Sequence, residues 1–418
     1  MKIILATYGS RGDVQPMLAL SLALQYAGHE ILLVGPPEKR EWASSLGCPF
    51  HSLGANLTDF IDSMEEVLSL RCAVKFVSMI RSEMLEQFKV LPRIIAGADL
   101  VIGASLVFGL ASVAEAMKIQ YRYIAFTPQL LVSQHHPCFL FKTQHFPLWM
   151  NQSSWKMVRW LDRFNMTALL NRERGKIGLK PVQNIWENVL GDHVIVASDR
   201  EIAAIPPDVE LDCLQTGYFH LQHVDSETDD SAVQTQIEHF LNRGAPPVYI
   251  GFGSMPLKDQ ARNVPMMVKA IRSAGLRGVI GKFWDGTTGF EDADDILFIR
   301  NYPHLKLFPR MAAVIHHGGA GTTATCAVSG VPQIIVPHIL DQYYHAHKVY
   351  QAGLGPRPIW RQGLTAQKLV GAVAQCRSFP HRSVDHSSLA ESATPGTSPG
   401  QFKAQSIVDR FAKWHHRC

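Results

Sequence analysis

The sequence predicts an α/β protein made of two Rossmann-like domains with parallel sheets, and three observations carry this. The chain has 418 residues, room for two domains of roughly 200 residues each. Short, continuous apolar runs alternate with longer helical patterns in both halves, which is how strands buried on both faces of a parallel sheet read. Two glycine-bearing turns, at 9–13 and 318–321, each follow an apolar run and open onto a helical pattern.

In chain order, the strands expected in the first half are Ile3–Ala6, Ile31–Gly35, Leu100–Ala104, Tyr123–Phe126 and Val194–Ala197. Those of the second half are Val248–Gly253, Gly278–Phe283, Ile296–Ile299, Ala313–Ile315 and Gln333–Val336. The first helix follows Gly9-Ser10-Arg11-Gly12-Asp13, with Asp13 as its cap, Pro16 in its first turn and Gly28 ending it. The acidic stretch HLQHVDSETDDSAVQ (220–234) lacks apolar periodicity and marks the boundary. The expected division is a first domain 1–219, a linker 220–235 and a second domain 236–400, whose first helix is Gln236–Asn242. After a Ser/Pro/Gly-rich loop (383–400), residues 401–418 carry an amphipathic helix with Phe402, Ile407, Val408 and Phe411 on one side.

Composition narrows the function. Hydrophobic residues make up 46% and charged residues 18%, enough core material to exclude a disordered chain. A net charge of +4 gives nucleic acid a weak electrostatic case, and none is expected as a partner. Seven scattered cysteines (48, 72, 138, 213, 326, 376, 418) fit neither a disulfide framework nor zinc spacing, which suits a reducing compartment. The N-terminal apolar run breaks after seven residues, too early for a signal segment, and no run reaches the ~18 apolar residues of a membrane span. A soluble, cytoplasmic protein is expected.

The stretch AVIHHGGAGTTATCAVSGVPQIIVPHILDQ (313–342) is the most informative. Glycines 318, 319 and 321 let the backbone approach a bulky anion, and the helix they open offers free N–H groups and a positive dipole end. Further on, Asp341-Gln342 suits hydroxyl groups. The pattern reads as a diphosphate-sugar site.

Three blocks together resemble one family. They are ATYGSRGDVQPMLAL (6–20), PPVYIGFGSM (246–255) and NYPHLKLFPRMAAVIHHGGAGTT (301–323), running on to Asp341-Gln342. They resemble the GT-B fold glycosyltransferases of family 1, the UDP-glycosyltransferase superfamily. The likeness is greatest to sterol 3-beta-glucosyltransferases and to bacterial glycopeptide-antibiotic glycosyltransferases. The resemblance implies inverting, metal-independent transfer of a hexose to a hydroxyl of a lipophilic small molecule, such as a sterol or polyketide. UDP-glucose is the expected donor, as co-substrate rather than cofactor. The alternatives are a dTDP-deoxysugar-dependent natural-product enzyme and a catalytically silent nucleotide-sugar-binding homologue.

Site residues follow by the same resemblance. Asp13 matches the general base, and Ser10, Arg11 and Gly12 lie on the acceptor side. Ser254, Tyr302, His304, His317, Gly319, Gly321 and Thr322 bind the nucleotide and its phosphates, while Asp341 and Gln342 hold the sugar. The last helix crosses back onto the N-terminal domain. No metal ligands are implied. Residue types alone leave other roles open: Asp13 and Asp341 are competent helix caps, Arg11 a solvated charge and His316 a structural histidine. Plant relatives stack a Trp on uracil where this chain has Asn301, so the base contact is unassigned. The segment 101–105 offers no carboxylate to orient a histidine base, which is consistent with a carboxylate in that role.

Between His135 and Phe164, Phe139, Phe141, Phe146, Trp149, Trp155, Trp160 and Phe164 are interleaved with Lys142, Lys156, Arg159 and Arg163. This density suits an acceptor cleft, ordinary domain packing, or peripheral contact with an anionic membrane. Two metal-like patterns are set aside. Asp292-Ala293-Asp294 precedes a strand instead of following one, and His338, His345 and His347 lack ligand spacing.

Overall fold

The computed structural model describes residues 1–57, 60, 70–221, 231–253, 260–281, 292–300 and 302–379. The first half forms a seven-stranded parallel sheet in the order β3-β2-β1-β4-β5-β6-β7. Its strands are β1 (Lys2–Tyr8), β2 (Glu30–Gly35), β3 (Phe50–Ser52), β4 (Leu100–Ser105), β5 (Gln120–Ala125), β6 (His193–Val196) and β7 (Asp212–Gln215). The second half forms a five-stranded parallel sheet, β10-β9-β8-β11-β12. It comprises β8 (Val248–Gly251), β9 (Gly278–Gly281), β10 (Ile296–Ile299), β11 (Ala313–His316) and β12 (Gln333–Ile335). All ten expected strands are present. The two unexpected ones, β3 and β7, are short edge strands.

The continuous apolar runs have a direct cause. Successive β1 side chains point to opposite faces, and both faces are covered. Ile4 and Ala6 pack with Met84, Phe88 and Leu91 of the helix Leu70–Ile94. Ile3 and Leu5 pack with Val14, Met17 and Leu18 of the helix Arg11–Tyr26. The second sheet repeats the pattern. Ile250, Ile280 and Ile315 meet Val264 and Met267 from the helix Gln260–Ser273 on one face. Tyr249, Val279 and Val314 meet Ile237 and Phe240 of the helix Ser231–Asn242 on the other.

That last helix starts within the stretch expected as linker and lengthens the one expected from Gln236. Residues 222–230, the 383–400 loop and the 401–418 helix lie outside the described residues. The domains also share an apolar contact, in which Ile202 and Ala203 pack with Ala327, Tyr344, Ala346 and Val349. The carboxyl ends of β1 and β4 thereby face the loop after β11. Among the described residues, no helix is long and apolar enough to cross a membrane.

Candidate active site

The helix Arg11–Tyr26 presents Asp13 to the crevice. Ser10, extended at φ −71° and ψ −176°, is the N-cap, and Asp13 occupies the third helical position. The expected cap is thus corrected by three residues, from Asp13 to Ser10. Asp13 instead reaches back as the acidic member of a capping box. Its Oδ2 accepts the Ser10 N–H at 2.7 Å and the Ser10 hydroxyl at 3.0 Å. Gly9 makes room for this, since a Cβ there would fall 2.4 Å from the Asp13 carboxyl carbon.

The second oxygen is held from the neighbouring strand. Parallel register sets Ser105 at the end of β4 beside Tyr8 at the end of β1. The Ser105 hydroxyl donates to Asp13 Oδ1 at 2.6 Å, and the Ser105 carbonyl accepts from the Tyr123 hydroxyl at 3.1 Å. Ser105 sits in the left-handed region at φ 59°, a conformation that a non-glycine residue adopts only when its surroundings enforce it. Burial pushes the Asp13 carboxyl above the usual range, and the hydrogen bonds from Ser105 and Ser10 oppose it. Ser105 is not among the site residues expected from the sequence, where 101–105 stands out only for lacking a carboxylate. The available signal was a hydroxyl at the end of the strand next to β1.

Arg11 is not a free surface charge. Its guanidinium lies 4.8 Å over the Trp42 ring, and its charge adds to burial in lowering His304 to about 4. Pro16 lies at the sixth helical position, beyond the first turn where it was expected. It has no N–H for the carbonyl of Gly12, four residues earlier. That carbonyl is met by the hydroxyl of Tyr218, from the end of the first domain, at 3.4 Å. The same hydroxyl abuts the second domain, where a Cβ on Gly321 would lie 2.7 Å from it.

The donor side is built on β11 and the helix Ala320–Ser329. Gly318, at φ 94°, turns the chain where a Cβ would strike Ile335, 2.8 Å away. Gly319 is the N-cap, and Gly321 and Thr322 are the second and third helical residues, so their N–H groups belong to the open end of the helix. His317 lies between two glycines: a Cβ on Gly253 would sit 2.9 Å from its Cε1 and one on Gly319 2.5 Å from its Nε2. Its Nδ1 is buried without a hydrogen-bond partner. Burial, reinforced by His316, His338, His345 and His304, holds it well below the usual histidine range. It is a neutral ring.

His316 is structural. Fully buried, it accepts the Gly318 N–H at Nδ1 (3.1 Å) and pairs Nε2 with Gln333 Oε1 (3.0 Å). Those partners fix the neutral Nε2–H tautomer. His345 ties the same turn through Nδ1 to the Gly318 carbonyl at 2.8 Å. His304 stacks on Phe308 with centroids 4.5 Å apart and meets the Tyr249 hydroxyl at 3.2 Å.

Asp341 occupies the N-cap position of the helix Gln342–Gln351 but makes no capping hydrogen bond. Its carboxyl is raised by burial, with the Asp13 charge acting in the same direction across the crevice and His345 against it. Gln342 spends Oε1 on the backbone N–H groups of His338 (2.8 Å) and Ile339 (3.0 Å), so any sugar contact falls to its Nε2. Tyr302 does not join this group, as its hydroxyl turns to Glu238 at 3.4 Å. Ser254 and Asn301 lie outside the described residues.

The set-aside patterns are accounted for. Asp292 accepts from Phe298 N–H and Gln236, Asp294 pairs with Arg243, and His347 packs edge-on against His145. Among the described residues no group of three His, Cys, Asp or Glu is placed to hold a metal ion. The aromatic band divides. Trp155 is buried edge-on to His136 and Phe139, whereas Trp149, Trp160 and Phe164 are exposed.

Residues 3–133 match the glycosyltransferase family 28 N-terminal domain, and 293–406 match the erythromycin biosynthesis protein CIII-like C-terminal domain. The chain is 32% identical to the vancomycin aglycone glucosyltransferase of Amycolatopsis orientalis over 369 residues, 85% of each chain. It is 28% identical to the sterol 3-beta-glucosyltransferase UGT80B1 of Arabidopsis thaliana, over 89% of this chain and 62% of that one. The spinosyn forosaminyltransferase SpnP superposes with a TM-score of 0.68 over 99% of both chains at 17% identity, a likeness of fold. Two parallel-sheet domains facing one crevice, matched at both ends and across most of the length, place the chain in the GT-B glycosyltransferases, with a family 28 N-terminal and an erythromycin CIII-like C-terminal domain.

Proposed function

We propose that this glycosyltransferase moves glucose from UDP-glucose, with inversion, to a hydroxyl of a lipophilic small molecule. The observation that carries the reading is Asp13. Its carboxylate is clamped by Ser10 and Ser105, and its charge is felt by Asp341 on the opposite domain. In this reading the acceptor hydroxyl gives its proton to Asp13 as its oxygen bonds to the anomeric carbon. The bond to the diphosphate breaks, and the electron pair leaves with that group. A carboxylate made more basic by burial is a better proton acceptor than an exposed one.

The charge gathering on the diphosphate falls to the N–H groups of Gly321 and Thr322 and to His317. His317 serves there as a hydrogen-bond donor to the diphosphate. Asp341 makes no capping bond and lies 3.7 Å from His345 Nδ1, and in this reading its carboxylate receives sugar hydroxyls. The sterol and glycopeptide glucosyltransferase relatives support a lipophilic acceptor.

The test is thermal stabilisation by a panel of UDP, dTDP and GDP sugars in EDTA, since a ligand of the folded state raises its apparent stability. UDP-glucose should give the largest shift, and Asp13→Asn should retain it while transfer collapses. A shift confined to dTDP sugars would overturn the donor assignment. No shift with any of these sugars would overturn the donor site itself, a shift without turnover would point to the silent homologue, and near-normal turnover in Asp13→Asn would remove Asp13 as base.

A further inference from the structure

The helix Leu148–Asp162 has two unlike apolar faces. Its inner face, Asn151, Ser154, Trp155 and Val158, is buried against Cys138 and its neighbours. Its outer face is equally rich in large side chains, yet Trp149 is 68% exposed, Trp160 64% and Phe164, just past the helix, 72%. Met157 and Leu161 fall on the same side and are exposed. Scattered exposed apolar residues are ordinary, but here Trp160 and Phe164 touch, with ring centroids 6.0 Å apart, and Met157 and Trp149 lie along the same side, a concentration that marks a surface meeting something other than water.

The charges around the stripe identify the partner. Lys142, Lys156 and Arg163 are exposed. The acid of this segment, Asp162, is bonded locally, accepting the Thr167 hydroxyl at 2.6 Å, and the nearby Glu187, from the helix Ile185–Leu190, is paired with Arg159 at 2.9 Å. Tryptophan and phenylalanine flanked by lysine and arginine, on one side of a helix lying flat on the domain, match the interface of an anionic bilayer. There rings sit at headgroup depth and cations meet lipid phosphates.

We propose that this face docks the enzyme on anionic membranes. The enzyme binds as a peripheral protein, with Trp149, Trp160 and Phe164 inserted and Lys156 and Arg163 on headgroups. Docking is independent of the donor and acceptor assignments above, and its test needs no turnover.

The experiment is flotation of the full-length protein with vesicles of phosphatidylcholine alone or phosphatidylcholine containing phosphatidylglycerol, at low and high salt. The protein should float with the anionic vesicles, less so in high salt, and poorly with the neutral ones. Lys156→Glu with Arg163→Glu should weaken binding at least about tenfold, since each cation near such a surface is worth roughly fivefold. Trp160→Ser with Phe164→Ser should weaken it comparably at an unchanged melting temperature, because these side chains are exposed. Absence of binding to anionic vesicles, or undiminished binding by both variants, overturns the proposal. So does self-association in sedimentation that Trp160→Ser with Phe164→Ser abolishes, which would make the stripe a contact with a second copy.

Discussion

Ser105→Ala tests the reading of Asp13 most directly. The substitution removes the 2.6 Å hydrogen bond to Asp13 Oδ1 and leaves the two bonds from Ser10 on Oδ2. A hydrogen bond to a charged group contributes about 1.5–3 kcal/mol. This one favours the ionised carboxylate, against the burial that raises Asp13. Without it the carboxyl rises further, so less of the base is ready at any pH on the acid side of the profile. The expected loss in kcat/KM there is about tenfold to a hundredfold. It shrinks at higher pH, where the carboxyl ionises anyway. The acid limb therefore moves to higher pH, while UDP-glucose affinity, set in the other domain, stays the same.

Ser105→Gly separates catalysis from strain. Glycine accepts φ 59° freely, so its melting temperature should equal or exceed that of Ser105→Ala. Both variants should shift the acid limb alike. A pH–rate profile whose acid limb stays in place in both would refute the positioning of Asp13 by Ser105.

Other outcomes follow from the same geometry. Asp341→Asn should raise KM for the nucleotide sugar about tenfold or more, as charge-assisted hydrogen bonds to the sugar are weakened. Its affinity for the nucleoside diphosphate alone, measured by calorimetry, should not change. Gly321→Ala puts a Cβ 2.7 Å from the Tyr218 hydroxyl, an overpacking that should cost about 1–3 kcal/mol in denaturant unfolding and be largely relieved by adding Tyr218→Phe. Acid should destabilise the fold through buried histidines: His316 is lowered to about 3, and His136 and His338 to about 4, chiefly by burial. Between those values and the ordinary 6.5 the unfolded chain binds more protons, so stability falls with falling pH, by up to about 1.4 kcal/mol per pH unit for each histidine. Asp13, raised in the fold, works the other way, withdrawing stability as pH rises through its folded value. Denaturation midpoints across this range should still decline toward acid.

The fold was legible because burial on both faces writes a strand as an unbroken apolar run. β1 and β11 are such runs, and so are the other eight expected strands. β3 and β7, the edges of the first sheet, escaped because their partly exposed sequences, Phe50-His51-Ser52 and Asp212-Cys213-Leu214-Gln215, lack that mark, whereas the edge strands β10 and β12 are buried throughout. The glycine turn at 318–321 was legible for a related reason, since close approach and positive φ exclude other residues there. Ser105 and Tyr218 were not, because their roles depend on which strand and which domain lie beside them. Serine at a strand end and tyrosine at a domain end carry no local signature.

Pro16 shows how a local defect becomes a distant constraint. Inside a helix, proline forfeits one hydrogen bond and costs on the order of 3 kcal/mol. Here the orphaned acceptor is the Gly12 carbonyl, one residue before Asp13, and Tyr218 meets it from where the first domain ends. The ring of Tyr218 is steadied by Phe126, and its backbone N–H reaches Asp199. Its hydroxyl also abuts Gly321, at the open end of the helix that faces the diphosphate in the proposed reaction. One phenol thus touches both the turn bearing Asp13 and the helix Ala320–Ser329. Only glycine at 321 lets them come this close. A regular helix at 12–16 would turn the Gly12 carbonyl inward to its own N–H partner and remove the acceptor that Tyr218 uses. The irregularity in the first helix and the small residue in the second are two halves of one contact, which sets how near the two sides of the crevice can approach.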